Sequence, residues 1–392
     1  MTPAARLQAA IELLDWIIAA ARDNGASADN IAKKFFKERR YAGSGDRRAI
    51  REHVYTAIRR WGDRPESGRQ AMLGLVAEQP ELQELFSGAN YGPAAIGGDE
   101  PVATGPQIPD WLTAKFASLI DETERKALFD RAPLHIRVNG RRSTDIDVKS
   151  AWPDAVTLTL PNAYELAAGT KLEDTALFRE GALEIQDLGS QAIAAASAAA
   201  KPKLALDLCA GAGGKTLALS AMLPPDSKII AADTDRGRLS RIEPRKRRAD
   251  ARNIETVLLA PGEEMEAVSH LRSRCDLVLI DAPCSGTGTW RRNPELRWRM
   301  TPKRLDHTTE LQQRLMVLGS ELVKPGGRLV YAVCSLLDAE GGDQAVRFLA
   351  DHPEWQEISI DLPIGRQYRK GMLLSPHHDG TDGFYFTCLE KL

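Results

Sequence analysis

The chain has 392 residues, 43% of them hydrophobic and 27% charged, with a formal net charge of −2. At roughly 100–200 residues per domain this length suggests two or three domains, and the composition excludes a globally disordered chain. The near-neutral balance excludes binding of polyanions through bulk charge, leaving local basic patches as the route to nucleic acid.

The opening "MTPAARLQAAIELLDW" lacks the basic, apolar and cleavage regions of a signal peptide. No apolar run reaches the ~18 residues of a membrane helix. The five cysteines, Cys209, Cys275, Cys284, Cys334 and Cys388, form no CxxC pair, so no metal is expected. Free thiols in a reducing cytoplasm are the expectation. Nothing in the sequence demands an oligomer, so a monomer is expected.

Residues 1–87 read as an all-α domain. Leu7, Ile11, Leu14 and Ile18 recur at helical spacing, widened by Ala10, Ile17 and Ala21. Ala49, Ile50, Val54, Ala57, Ile58 and Trp61 repeat the pattern. Its polar side carries Arg47, Arg48, Arg51, Arg59 and Arg60, which suit either a solvated face or an RNA-facing one. The Gly/Pro-dense stretch 88–109 reads as a linker. Residues 110–190 read as a small α+β segment, with short strands in "LHIRVNG" and "AVTLTL" and a helix between Ser143 and Ala151. This segment is expected to help recognise RNA, with Arg137 as a candidate contact.

Residues 191–392 read as the catalytic domain. From Leu204 on, apolar runs of strand length alternate with helical segments: "LALDL", "KIIAAD", "IETVLL", "CDLVLID" and "GRLVYAV". That alternation implies βαβ units and a doubly wound, mostly parallel sheet. Near-continuous apolar strands are what a sheet covered on both faces requires. "GFYFTCLEKL" reads as a late antiparallel strand.

"LDLCAGAGGKT" follows the first of these strands. Its glycines permit a tight turn and close backbone approach to a ligand, and the next helix offers its N-terminal amides. The second strand ends in Asp233, where such folds set an acid against ribose hydroxyls. The spacing fits neither G-x-G-x-x-G nor a P-loop. S-adenosyl-L-methionine is therefore favoured over a dinucleotide or a triphosphate.

In open α/β sheets ligands bind outside the carboxyl ends of the strands. Cys209, Cys284 and Cys334 follow strands one, four and five, so all lie on that edge. In the order 3-2-1-4-5, strands four and five are neighbours about 4.8 Å apart, and Cys284 and Cys334 should converge. Cys275 and Cys388 read as core thiols, and Cys209 as packing in the cofactor loop. A cysteine nucleophile beside a methyl donor has a definite use. Thiolate addition at carbon 6 of a pyrimidine turns carbon 5 into an enamine-like centre that attacks the methyl group. An acid–base group then helps remove the carbon-5 proton and expel the thiolate. Asp281 is placed to hydrogen-bond the ring nitrogen and amino group of cytosine.

"LDLCAGAGGKT", "AADTDRGRLSR", "DLVLIDAPCSGTGTWRRNPELRW" and "KPGGRLVYAVCSL" resemble the motifs of the RsmB/NOP (Sun) family of RNA cytosine-5 methyltransferases. "LHIRVNG" and "EIQDLGSQ" resemble its upstream motifs. The match runs from about residue 108 to the end. The helices before it resemble the NusB-like domain of the bacterial ribosomal-RNA enzymes. The resemblance implies a class I S-adenosyl-L-methionine methyltransferase fold, Rossmann-like, preceded by the small α+β segment and the all-α domain. It implies Cys334 as the nucleophile and Cys284 as the cysteine that assists product release. It implies Cys209, Ala210, Gly211, Ala212, Gly213, Gly214, Lys215, Asp233 and Asp281 as cofactor contacts. Two positions depart from the family pattern. Val333 precedes Cys334 where Thr is usual, and Pro261 stands where an acid follows strand three, with Glu263 nearby.

"WRRNPELRWRM" sets arginines beside tryptophans directly after the Cys284 loop. Arg291, Arg292, Arg297 and Trp298 are its candidates for phosphate contact and base stacking. The run Arg236 to Arg248 circles a helix and is partly solvated. The expected substrate is structured RNA, ribosomal more than transfer RNA. A non-catalytic RNA-binding or ribosome-assembly role is the reading from a different class.

Overall fold

The computed structural model describes residues 1–23 and 25–392. It divides into two compact units, one of residues 1–116 with 289–302 and one of residues 117–288 with 303–392. Among the described residues no helix is long and apolar enough to cross a membrane.

The first unit is helical. Helix α1 (Pro3–Arg22) starts with Pro3 in its first turn and with the Thr2 side chain accepting a hydrogen bond from Ala5 N at 3.2 Å. Its stripe of Leu7, Ala10, Ile11, Leu14, Ile17, Ile18 and Ala21 is buried, as the spacing predicts. Helices α2 (Ala28–Glu38), α3 (Ser44–Arg60) and α4 (Gly68–Val76) close the core with Phe35, Ile50, Val54, Ile58 and Met72. Side chains of this size are worth about 1.5–3 kcal/mol each when fully buried, so this apolar core holds the unit together. The stretch 88–109 carries no helix or strand, yet it packs here: Ala103 is buried and donates its N–H to Gln70 O at 3.0 Å.

Residues 289–302, expected within the catalytic domain, belong to this helical unit instead. The turn Pro294–Arg299 supplies the reason. Trp298 joins the helical core and donates Nε1–H to Trp61 O at 2.8 Å. Arg297 is 1% exposed and donates to Gln107 O at 2.8 Å and to Ile58 O. Burial pulls its pKa down to about 9. Glu295 accepts from Ala28 N at 3.0 Å. Arg297 and Trp298 are therefore struts, which corrects the expectation that they face RNA. Arg291 is also buried, and Arg292 retains partial exposure. Arg297→Ala should strand two buried carbonyls and lower the stability of the helical unit by roughly 1–3 kcal/mol. Chemical denaturation checks this, with RNA affinity at a temperature where the variant stays folded expected to match wild type.

The second unit carries two sheets. The small antiparallel one has the order Val156–Thr157, Ala163–Leu166, Leu134–Val138, Leu183–Ile185. In the large one, five strands run parallel: β1 (Leu204–Asp207), β2 (Lys228–Asp233), β3 (Ile254–Leu258), β4 (Cys275–Asp281) and β5 (Val323–Val333). Their spatial order is β3-β2-β1-β4-β5, and the antiparallel strand Phe384–Lys391 adds to β5. Leu277 to Ile280 and Leu329 to Val333 are fully buried, which explains why both strands read as unbroken apolar runs. The sheet is Rossmann-like and mostly parallel, as the alternation predicts.

Candidate active site

β1 ends at Asp207, and the chain turns through Leu208–Gly213 into the helix Gly214–Met222. Gly211 and Gly213 have φ of 54° and 83°, the left-handed region that a side chain resists. A Cβ on Gly213 would also sit 2.9 Å from Ile242. The turn is clamped from β2. Asp233 accepts Gly211 N at 2.7 Å on one oxygen and Asp235 N at 2.7 Å on the other, and each oxygen keeps a lone pair for a ribose hydroxyl. Ala210 N donates to Ala232 O at 2.9 Å, and the Ala212 carbonyl accepts from Arg245 at 2.5 Å.

Asp207 lies beneath the turn. Thr216 Oγ1 donates to its Oδ2 at 2.6 Å, and its buried Oδ1 has no hydrogen-bond partner among the described residues. Burial pushes its pKa up to about 7. An orphaned buried carboxylate oxygen, a left-handed glycine turn and a helix N-terminus suit the amino and carboxylate groups of S-adenosyl-L-methionine. The Asp233 lone pairs suit its ribose. The residues fit the cofactor.

Lys215, in the first turn of that helix, crosses to the end of β4 and pairs with Asp281, Nζ to Oδ2 2.7 Å. Burial pulls the Lys215 pKa down, but Asp281 and behind it Cys334 and Asp207 outweigh that and hold it above the ordinary value. Asp281 stands opposite Ala332 in the β4–β5 register, so the two chain ends leave the sheet side by side. Just beyond, Cys284 Sγ lies 3.3 Å from Cys334 Sγ. The Cys284 thiol is pushed well above its usual pKa by the contact with Cys334, by burial and by the nearby Glu340 carboxylate. The Glu340 carboxylate therefore disfavours negative charge on Cys284.

Cys209 is half-buried in the turn, and burial holds its thiol well above the usual range. Cys275 and Cys388 are buried, with pKa values pushed up to about 12 chiefly by that burial, as core thiols should be. Among the described residues no group of three or more His, Cys, Asp or Glu could hold a metal ion.

Arg137 does not face RNA. It is 3% exposed in the small sheet, and its Nε donates to Gln186 Oε1 at 2.8 Å. Gln186 Nε2 in turn donates to Gly214 O at 3.3 Å, so Arg137 braces the cofactor turn from behind. In the basic run, Arg245 and Arg248 pair with Glu184 of the same sheet. Glu263 is exposed, while the next residue, Glu264, is buried and held by both guanidinium nitrogens of Arg314 at 2.6 and 2.8 Å. Sequence reasoning missed Glu340, which is fully buried and hydrogen-bonds both cysteine turns.

Residues 196–390 match the family model described as 16S rRNA methyltransferase RsmB/F. A relative from Synechocystis sp., named probable ribosomal RNA small subunit methyltransferase B, is 32% identical over 74% of this chain and 69% of its own length. Ribosomal RNA small subunit methyltransferase B from Sodalis glossinidius is 29% identical over 82% of this chain and 76% of its own. The crystal structure of PH0851 superposes with a TM-score of 0.76 at 22% identity, covering 100% of this chain and 99% of that one. NSun6 from Pyrococcus horikoshii with SFG gives a TM-score of 0.63 at 18% identity, over 72% of this chain and 97% of that one. These two likenesses carry the fold alone, and the methyltransferase family that the sequence matches uses S-adenosyl-L-methionine as its cofactor. By its sequence, its sheet order and its cofactor turn, this chain belongs to the RsmB/F methyltransferase family.

Proposed function

We propose that this protein methylates carbon 5 of a cytosine in ribosomal RNA through a covalent adduct on Cys334. One observation carries the reading: two thiols 3.3 Å apart at the carboxyl edge of β4 and β5, beside the Lys215–Asp281 ion pair. Methyl transfer to an electron-rich oxygen or nitrogen needs no such pair, whereas a pyrimidine carbon needs a nucleophile to activate it. The bound cofactor supplies an electrophilic methyl group. Asp233 and the Gly211–Lys215 turn hold it, with Asp207 beneath.

The Glu340 carboxylate disfavours negative charge at Cys284, and Cys334 is assigned as the attacking thiolate on its resemblance to the family's nucleophile position in "KPGGRLVYAVCSL". Its sulfur bonds carbon 6, and carbon 5 takes the methyl group. Loss of the carbon-5 proton and cleavage of the carbon–sulfur bond then restore the aromatic ring and free the thiolate. Cys284 is the acid–base group assigned to that elimination. Asp281, held by Lys215 through one oxygen, presents its other oxygen toward hydrogen bonding with the base. The target base must leave its stack to reach these groups. Lys33, Lys37, Arg40, Arg47 and Arg51 surround Phe36 in a concavity of about 390 Å³ on the helical unit, which supports the RNA-facing reading of Arg47 and Arg51. Arg292 remains the assigned contact after the Cys284 loop.

The relatives named as small-subunit ribosomal RNA methyltransferases support ribosomal RNA as the substrate. The test is bisulfite mapping of ribosomal and transfer RNA from a strain lacking the gene. One ribosomal cytosine should lose protection and regain it when the purified protein and cofactor are added. An unchanged ribosomal map would overturn the assignment. Asp233→Ala removes the acceptor of the Gly211 amide in the cofactor turn and of the Asp235 amide beside it, and should weaken cofactor binding roughly 10- to 100-fold, measured by calorimetry.

A further inference from the structure

We propose that Glu340 is the positioning residue of the two-cysteine site: its single buried carboxylate ties the turn after Cys284 to the turn after Cys334 and fixes the approach of the two sulfurs. This rests on the covalent cytosine reading above and deepens it.

The β4–β5 ladder extends only to the bond from Ala282 N to Ala332 O at 2.9 Å. Past that point the chains leave for separate turns, joined by Gly288 N donating to Cys334 O at 3.1 Å, and the sulfur–sulfur distance depends on that bond and on the side chains that link the turns. Glu340 is 0% exposed and contacts both. Its Oε1 accepts from Ser285 N at 2.8 Å and from Gln312 Nε2 at 3.2 Å. Its Oε2 accepts from Ser335 Oγ at 2.6 Å and from Ser285 Oγ. Ser285 and Ser335 are the residues immediately after the two cysteines. Gln312 also donates to Pro283 O at 2.9 Å, gripping the residue before Cys284. The Glu340 carbonyl accepts from Tyr331 OH at 2.6 Å, which anchors it to β5.

The directions of these bonds are consistent. Thr287 Oγ1 accepts from Leu336 N at 2.9 Å and lies 3.1 Å from Ser335 Oγ. Ser335 Oγ accepts from Leu337 N at 3.2 Å and spends its own proton on Glu340. The Ser285 and Ser335 hydroxyls therefore both point their protons at the carboxylate, and an ionised carboxylate, which only accepts, completes the set. Burial raises the Glu340 pKa, and the hydrogen bonds from Ser285 and Ser335 oppose that shift. A buried charge of this kind is a poor source of stability, because a well-packed apolar replacement is often neutral or better. Its use here is geometric, with a second effect: its charge disfavours a thiolate at Cys284.

Glu340→Gln tests this, since the amide nitrogen cannot accept and one serine hydroxyl must let go. The expected result is a kcat fall of roughly 100-fold, the scale of a misplacement near 1 Å, with wild-type KM values for cofactor and RNA. Single-turnover formation of the covalent complex on RNA carrying 5-fluorocytosine should slow by the same factor. Glu340→Asp, which restores charge but not reach, should recover only part of the rate. Ser335→Ala, which keeps the carboxylate and most of its donors, should show the same split of kcat from KM, and it serves if Glu340→Gln does not fold. A lowered melting temperature with wild-type kcat in a folded variant overturns the positioning role and leaves the cytosine reading standing. Wild-type protein that forms no covalent complex with this RNA overturns both.

Discussion

Cys334→Ala is expected to bring methyl transfer to background, a loss on the order of 10⁴-fold or more, as when a covalent nucleophile is removed from other enzymes. Carbon 5 of cytosine does not attack a methyl group until a nucleophile has added at carbon 6, so no slower route through the same site replaces the thiolate. Cys284→Ala should behave differently. Attack and methyl transfer need Cys334, but the elimination then lacks its acid–base partner, and the protein should accumulate covalently on RNA. A denaturing gel with labelled RNA reads both outcomes. Cys284→Ala should give a slow-migrating band that forms only with cofactor, and Cys334→Ala should give none. The opposite pattern would exchange the two roles. Distance alone does not choose between sulfurs 3.3 Å apart. The choice rests on the resemblance of the Cys334 motif to the family's nucleophile position, and the Glu340 carboxylate, which disfavours a thiolate at Cys284, is consistent with it. Both variants should keep their fold and cofactor affinity, because neither sulfur clamps the Gly211–Lys215 turn.

The strand order and the convergence of Cys284 with Cys334 were legible in sequence for a simple reason. Buried parallel strands are continuous apolar runs, and their carboxyl ends mark the ligand edge, so counting strands places the cysteines. Arg137, Arg297 and Trp298 were misread because an arginine capped by carbonyls and one facing phosphate look alike in a string. Gln107 and Ile58, the partners of Arg297, lie far from it in sequence, and no local pattern announces them. Residues 289–302 leave the catalytic unit directly after Gly288, with no composition shift to mark the exit. Glu340 gave no signal either: "LLDAEGGD" reads as a polar turn, and only the fold reveals that both cysteine turns converge on it. Asp233 was correctly placed at the strand end, but its grip on the turn amides, which makes it structural as well as a candidate ribose contact, needed coordinates.

Lys215→Met should cost roughly 10²–10³-fold in kcat/KM, the usual loss when a preorganised charge is taken from a reacting centre. Methionine fills the stem volume but leaves Asp281 without its partner at 2.7 Å and removes the cation on the Cys334 side. Thermal denaturation should register less change than activity does. The Asp281 side chain is about a third exposed, at 34%, so water can solvate the orphaned carboxylate. The pH window, not the sign, separates this pair from its neighbour. Lys215 has a folded pKa raised above the unfolded value, so its contribution is complete below pH 10.5 and is lost only as pH climbs through the higher folded value. It therefore stays constant across the neutral range. Asp207 is also raised, from 3.8 to about 7, but as an acid it binds more protons folded than unfolded in that window, so stability falls as pH rises through it. A stability slope between pH 4 and 7 that persists in Lys215→Met and disappears in Asp207→Asn is the expected outcome. If Lys215 and Asp281 act as one unit, Lys215→Met combined with Asp281→Asn should be no slower than the worse single variant. Fully additive losses would mean that the lysine serves Cys334 and the aspartate serves the base independently, with the ion pair between them incidental to the chemistry.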